Sequence, residues 1–244
     1  MTTASTQQQP SLLQVEDLHA HYGKSHILRG VSFKVERGEV VSLLGRNGSG
    51  RSTTLKALMG LVSPTGGRVQ LGPRALAGAK PHTICRAGLA YVPEEREVFA
   101  NLTVDENLRM GEQPPVAGAQ RWTTQQMFDY FPRLKERRNT KAGSLSGGEQ
   151  QMLTICRALL GNPLAILIDE PTEGLAPKIV AQVGESIEDM RRRGLSVLLV
   201  EQKLAIALKV SSRVCVMGHG RIVYEGSPEQ ILADRDVLSR WLAV

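Results

Sequence analysis

The apolar residues in the first stretch of the chain mostly alternate with polar ones: Leu13, Val15 and Leu18, then Ile27, Leu28, Val31, Phe33 and Val35. Alternation puts one side on a core and the other in water, so it predicts strands, and turns at residues 22–25 and 36–38 make them antiparallel. Residues 39–44 form a continuous apolar strand that runs directly into GRNGSGRST at 45–53. Leu55, Leu58, Met59 and Val62 follow at helical spacing, with Pro64, Gly66 and Gly67 as the expected stop. Short strands are predicted at 69–71 and 89–93. From about 103 to 144 the character changes. Helical signals at 105–110 and 125–138, a break at Pro114 and Pro115, and many charges predict a helical subdomain inserted into a sheet-based core. A helix opened by a glycine pair is expected over 147–160. Buried-strand patterns follow at 164–169, 196–201 and 214–217, and helical stretches separate the first two pairs, which implies a parallel sheet. Residues 217–223 read as a hairpin bending at Gly218 and Gly220. Ser227, Pro228, Glu229 and Gln230 read as a capping-box start, so the chain should end in a helix. The fold class is α/β: a mixed core sheet, an antiparallel β subdomain and an inserted α-helical subdomain. Residues 1–11 are expected to be a loose tail, and 12–244 one domain.

Composition narrows the choices. A chain of 244 residues with 41% hydrophobic content can bury a substantial core. No apolar run approaches the ~18 residues of a membrane span, and the polar first ten residues lack the apolar stretch of a secretory signal. Cys85, Cys156 and Cys215 are scattered and odd in number. They fit neither a disulfide framework nor a metal site, which suits a reducing compartment and small buried side chains. A net charge of +6 permits anionic partners without demanding them, and 4% aromatic content is too thin for a row of base-stacking side chains. Nucleic acid is therefore not an expected partner. His19 and His21 share one strand face, but with no carboxylate or cysteine partner apparent nearby in sequence no metal site is expected there.

Two constellations carry phosphate chemistry. Gly45, Arg46, Asn47, Gly48, Ser49, Gly50, Arg51, Ser52 and Thr53 have Walker A spacing between a strand and a helix. Backbone N–H groups of such a loop wrap phosphate, the helix N-terminus adds favourable dipole, and glycines allow the close approach. The Ser52 hydroxyl suits Mg²⁺. Arg51 stands where the motif has Lys. Its planar fork differs from a compact ammonium, which leaves three readings: binding with slowed hydrolysis (favoured, because γ-phosphate positioning is most of phosphoryl-transfer catalysis), full activity through local repacking, or a sequence variant. The second constellation is the strand ending in Asp169 and Glu170. Asp169 suits Mg²⁺, and Glu170 suits a general base for an attacking water.

Leu145, Ser146, Gly147, Gly148 and Glu149, followed by Gln150, spell LSGGEQ at another helix start. With this third motif the whole chain resembles the ATP-binding subunits of ABC transporters, a P-loop ATPase fold. The resemblance implies ATP and Mg²⁺ as cofactors, and a head-to-tail dimer with a second ATPase subunit or a second copy. In that dimer residues 145–149 close on the partner's nucleotide. It also implies two transmembrane permease subunits, an extracytoplasmic solute-binding protein acting indirectly, and a peripheral position on the cytoplasmic face of a bacterial-type inner or plasma membrane. Tyr22 falls at the adenine-stacking position, Glu94 at the Q-loop, Glu173 in the D-loop and Gln202 at the switch. Most of the family has Gln and His where Glu94 and Gln202 stand. Those two residues and the phrase EPTEGLAP resemble the branched-chain amino acid uptake subunits usually called F, whose urea and short-chain amide relatives share much of the pattern. Arg51 departs from both. The function implied is ATP hydrolysis powering an importer of branched-chain or related amino acids. A weakly active nucleotide-binding regulatory subunit and a urea or short-amide importer subunit remain as alternatives.

Overall fold

The computed structural model of the chain describes residues 11–242. In chain order it forms β1 (Leu13–Tyr22), β2 (Ser25–Val35), β3 (Val40–Gly45), α1 (Arg51–Leu58), β4 (Pro64–Leu71), β5 (Arg74–Ala75), α2 (Pro81–Ala87) and β6 (Leu89–Val92). Then come α3 (Val104–Gly111), α4 (Thr124–Tyr130), α5 (Pro132–Glu136), α6 (Gly147–Leu159), β7 (Ala165–Asp169), α7 (Pro177–Arg192) and β8 (Ser196–Val200). The chain continues through α8 (Leu204–Val210), β9 (Arg213–Gly218), β10 (Arg221–Gly226), α9 (Pro228–Ala233) and α10 (Arg235–Val237).

Two sheets organise these elements. β2-β1-β4-β5 is antiparallel throughout. β10-β9-β3-β8-β7-β6 is parallel except for the antiparallel edge strand β10. The central parallel strands read as unbroken apolar runs because both of their faces are covered. On β7, Ala165 and Leu167 enter one core with Leu18, Leu28, Leu55 and Leu58 of the antiparallel sheet and α1. Ile166 and Ile168 enter a second core with Leu108, Met127, Leu153 and Ile187 of α3, α4, α6 and α7. Parallel register places the ends of three strands on one edge: Leu43 pairs with Val200, and Asp169 pairs with Val200 from the other side. Loops leaving β3, β7 and β8 therefore emerge together, where ligands of parallel sheets bind.

Several elements differ from the sequence pattern. α1 ends at Leu58, and Pro64, Gly66 and Gly67 lie inside β4 instead of in a loop. A Cβ on Gly67 would meet the Asp17 carbonyl at 2.3 Å, so glycine there lets two strands approach across an irregular register. The helix predicted over 125–138 breaks into α4 and α5 because Pro132 lacks a backbone donor and forces Phe131 out of helical geometry (φ −127°, ψ 76°). The terminal helix is also broken. Ser227 caps α9 as predicted, but Asp234 accepts from the Val237 N–H at 3.0 Å and starts a new turn, followed by a wide π turn over Leu238–Leu242. α8, expected between β8 and β9, is present but short, whereas α2 was not foreseen. Of the expected tail, residues 1–10 lie outside the described residues, whereas Ser11 is buried and its Oγ donates to Glu36 Oε1 at 2.7 Å. Cys156 and Cys215 are buried as expected, but Cys85 is exposed on α2. Among the described residues no helix is long and apolar enough to cross a membrane.

Candidate active site

β3 delivers its chain end into a loop whose glycines have specific tasks. Gly45 (φ 149°) runs so close to β9 that a Cβ would meet the Met217 carbonyl oxygen at 2.5 Å. Gly48 (φ 78°) has nothing within 4 Å of its Cβ direction, so its backbone faces open space. Gly50 (φ 106°) starts α1 in a left-handed conformation and no side chain caps that helix. The first-turn amides of α1 are thus left for an external acceptor. The Ser49 hydroxyl is buried without a partner. The loop lines a cleft of about 320 Å³ together with Arg51, Ser52, Thr53, Glu94, Glu170, Glu173 and Gln202.

Arg51 is 5% exposed and its guanidinium spans the cleft floor. Nη2 donates to Glu170 Oε1 at 2.8 Å and to Asn47 Oδ1 at 3.2 Å, while Nη1 donates to the Glu201 carbonyl at 3.3 Å. The residue at the Walker lysine position is therefore ion-paired with the predicted general base. Gln202 holds the other oxygen of that carboxylate, Nε2 to Oε2 at 2.5 Å. Glu170 itself sits at φ 44°, a conformation that non-glycine residues adopt rarely, with its N–H donating to the Val200 carbonyl at 2.9 Å. Burial, and then the neighbouring Glu173 carboxyl, push the Glu170 carboxyl up to about 7, against the opposing pull of Arg51 and Gln202.

Asp169 lies at the end of β7. It accepts from the Ser52 hydroxyl at 3.0 Å and from the Tyr91 hydroxyl at 3.3 Å. Burial raises its pKa, and Ser52 acts in the opposite direction. The two oxygen donors, Ser52 and Asp169, suit a hard divalent cation. One oxygen each of Glu94, Glu170 and Glu173 also lie within 4.8 Å of one another.

The remaining predicted residues are placed elsewhere. Tyr22 is half exposed at the β1 end and does not line the cleft. Arg46 lines an adjoining hollow of about 270 Å³ with Gln202 and Leu242. None of residues 145–149 lines the phosphate-loop cleft. Ser146 caps α6 in a reciprocal box: its Oγ accepts from the Glu149 N–H at 3.3 Å, and Glu149 Oε2 accepts from the Ser146 N–H at 2.8 Å. Glu149 also pairs with Arg137 at 3.4 Å. A Cβ on Gly147 would lie 2.6 Å from an Arg96 nitrogen, and one on Gly148 would crowd Ile179 at 3.1 Å, so both glycines let neighbouring side chains pack against this helix start. The α6 start borders a separate cleft of about 310 Å³. Tyr91, Arg96 and Glu201 escaped sequence reasoning. Glu201 anchors the switch segment, accepting from the Gln202 and Lys203 amides at 2.8 and 3.0 Å and from the Thr172 hydroxyl.

Comparison with known proteins agrees with this architecture. Residues 28–173 match the family model described as ABC transporter. The chain is 42% identical over 231 residues to the high-affinity branched-chain amino acid transport ATP-binding protein BraG of Pseudomonas aeruginosa, covering 95% of this chain and 99% of that one. It is 36% identical over 224 residues to the lipopolysaccharide export system ATP-binding protein LptB of Acidithiobacillus ferridurans, covering 91% and 93%. A crystal structure of a nucleotide-free ATP-binding cassette from an ABC transporter superposes with a TM-score of 0.82 at 26% identity, covering 96% and 99%. The chain belongs to the ABC transporter family. It is an ABC ATPase, the ATP-binding subunit of a transporter complex.

Proposed function

We propose that this chain hydrolyses ATP to power uptake of branched-chain amino acids. The observation that carries the hydrolytic half is the Arg51–Glu170–Gln202 arrangement beside Ser52 and Asp169 in one cleft. The 42% identity to BraG across nearly the whole chain supports the solute class.

In this reading the loop amides from Gly45 to Thr53 receive the phosphates, and Tyr22 stacks on the adenine. Arg51 transfers its charge from Glu170 to the γ-phosphate, which frees the base. Glu170 then takes a proton from water as the water oxygen attacks the γ-phosphorus. The bond between phosphorus and the β–γ bridging oxygen breaks, releasing ADP and phosphate. A carboxyl raised to about 7 suits that task. Gln202 orients it through Oε2, and Glu94 faces the same space. Ser52 and Asp169 would hold Mg²⁺, which supplies charge neutralisation for the phosphates.

The α6 start, with Leu145, Ser146, Gly147, Gly148 and Glu149, serves the nucleotide of a head-to-tail partner, either a second ATPase subunit or a second copy. Closing and reopening of the pair would drive two permease subunits, fed by an extracytoplasmic solute-binding protein, from the cytoplasmic face of the membrane. The test is uptake of radiolabelled leucine by vesicles carrying the complex with its permeases and binding protein. ATP-dependent accumulation supports the reading, while ATP turnover with no leucine uptake leaves the ATPase and removes the solute. Similarity to LptB favours a second reading, an export ATPase, which the same vesicles test by omission of the binding protein.

A further inference from the structure

We propose that His19 and His26 form a site for a divalent transition-metal ion on the outer face of the antiparallel sheet, with Asp17 and His21 as its supports. His19 Nδ1 and His26 Nε2 face one another across β1 and β2 at 3.1 Å. Two metal–imidazole bonds of about 2.0–2.1 Å at a tetrahedral angle put the two nitrogens roughly 3.3–3.4 Å apart. The observed spacing therefore needs only a small adjustment to admit an ion.

The supports fix both rings. Asp17 Oδ1 lies 3.1 Å from His19 Nε2. A carboxylate only accepts, so the Nε2 of His19 carries the proton and its Nδ1 accepts from the Nε2–H of His26, a proton that an ion must displace, His26 then keeping its one N–H on Nδ1. A carboxylate behind a ligating histidine is the usual outer partner of a metal-bound imidazole. His21 donates to or accepts from Thr65 Oγ1 at 3.0 Å, and its ring stacks on that of His26 with centroids 4.1 Å apart and planes 9° apart. The stack holds His26 in place. Gly30 leaves room for the carboxylate, because a Cβ there would lie 2.7 Å from Asp17 Oδ1.

The alternation rule hid this cluster. Register shifts between Val15 and Leu18 and between Leu18 and His19, with Asp17 at φ 48°, carry Asp17 to the His19 ring. His26 arrives from the other strand as the register partner of His21. Imidazole ligation favours ions of the Zn²⁺, Ni²⁺, Co²⁺ and Cu²⁺ class over Mg²⁺ and Ca²⁺. A bound ion would tie β1 to β2 just behind Tyr22.

The experiment titrates Co²⁺ into untagged, nucleotide-free full chain carrying C85S, which removes the exposed thiol, followed by absorption and by Zn²⁺ competition. One equivalent is expected, displaced by Zn²⁺ and not by Mg²⁺. H19Q and H26Q should each weaken binding at least tenfold. D17N should weaken it by about tenfold, the low end of the effect of removing an outer-shell partner. H82Q should leave it unchanged, and unaltered ATP binding confirms that each variant is folded. Wild-type affinity in H19Q and H26Q, or loss of binding on E173Q instead, overturns the assignment.

Discussion

Removing the carboxylate of Glu170 should have opposite effects on binding and on chemistry. In the cleft Arg51 and Glu170 are paired at 2.8 Å, with exposures of 5% and 6%. Two unit charges about 4 Å apart at an effective dielectric of about 20 attract by about 4 kcal/mol. Desolvation, at several kcal/mol per ion, offsets most of that. ATP must break what remains before Arg51 can reach phosphate. Glu170→Gln keeps a hydrogen-bonding side chain but abolishes the ion pair, so ATP should bind more tightly by about 1.4 kcal/mol, or roughly tenfold. Turnover should fall by about 10²–10⁴-fold because the general base is gone. The gain in affinity carries its own pH signature. The raised carboxyl of Glu170 (about 7) is protonated at lower pH, which already weakens the pair in wild type. The difference between wild type and variant should therefore shrink at about pH 6 and be full at about pH 8.5. Isothermal titration with ATP at both pH values, beside a phosphate-release assay, measures all of this. Equal affinities at about pH 8.5 would refute the idea that pairing with Glu170 restrains Arg51.

Arg51→Lys should raise steady-state turnover by roughly tenfold, since a misplacement of about 1 Å costs on the order of a hundredfold, with a smaller change in ATP affinity. Equal turnover would mean that the loop has repacked around Arg51. The kcat/KM–pH profile should fall as pH drops below about 7, because Glu170 must lose its proton to act as base; a flat profile through that range contradicts the assignment. Ser146→Arg should abolish ATPase activity of the assembled complex while leaving ATP affinity of the isolated subunit unchanged, because Ser146 does not line the subunit's own cleft. A tenfold loss of that affinity (~1.4 kcal/mol) would put Ser146 in the wrong site.

The parts of the site that could be read from sequence are those set by local chain geometry. Gly45, Gly48 and Gly50 announce a phosphate loop because their dihedrals or close approaches exclude side chains. Asp169 and Glu170 were legible because an apolar strand in a parallel sheet ends at the ligand edge. Ser146 and Glu149 were legible because LSGGEQ is one contiguous run at a helix start, and the structure shows that the same two residues cap that helix. What stayed hidden depends on distant contacts. Nothing in the loop sequence indicates that Arg51 reaches across 119 residues to Glu170, or that Tyr91 reaches Asp169. The fold followed the same division. Alternation found β1 and β2, but their register shifts concealed the approach of Asp17 to His19, and the single Pro132 cut a helix that periodicity alone had joined.

In the proposed assembly, ATP held by the Gly45–Thr53 loop of one subunit is clasped by the Ser146 helix start of another. The most direct measurement is the mass of the Glu170→Gln subunit, by light scattering, with and without saturating ATP and Mg²⁺, alone and with its partner ATPase subunit. The expected result is a monomer without nucleotide, a dimer with it, and loss of that dimer when Ser146→Arg is added on both sides of the pair. A monomer under saturating ATP and Mg²⁺ in both mixtures, or a dimer indifferent to Ser146→Arg, would contradict it.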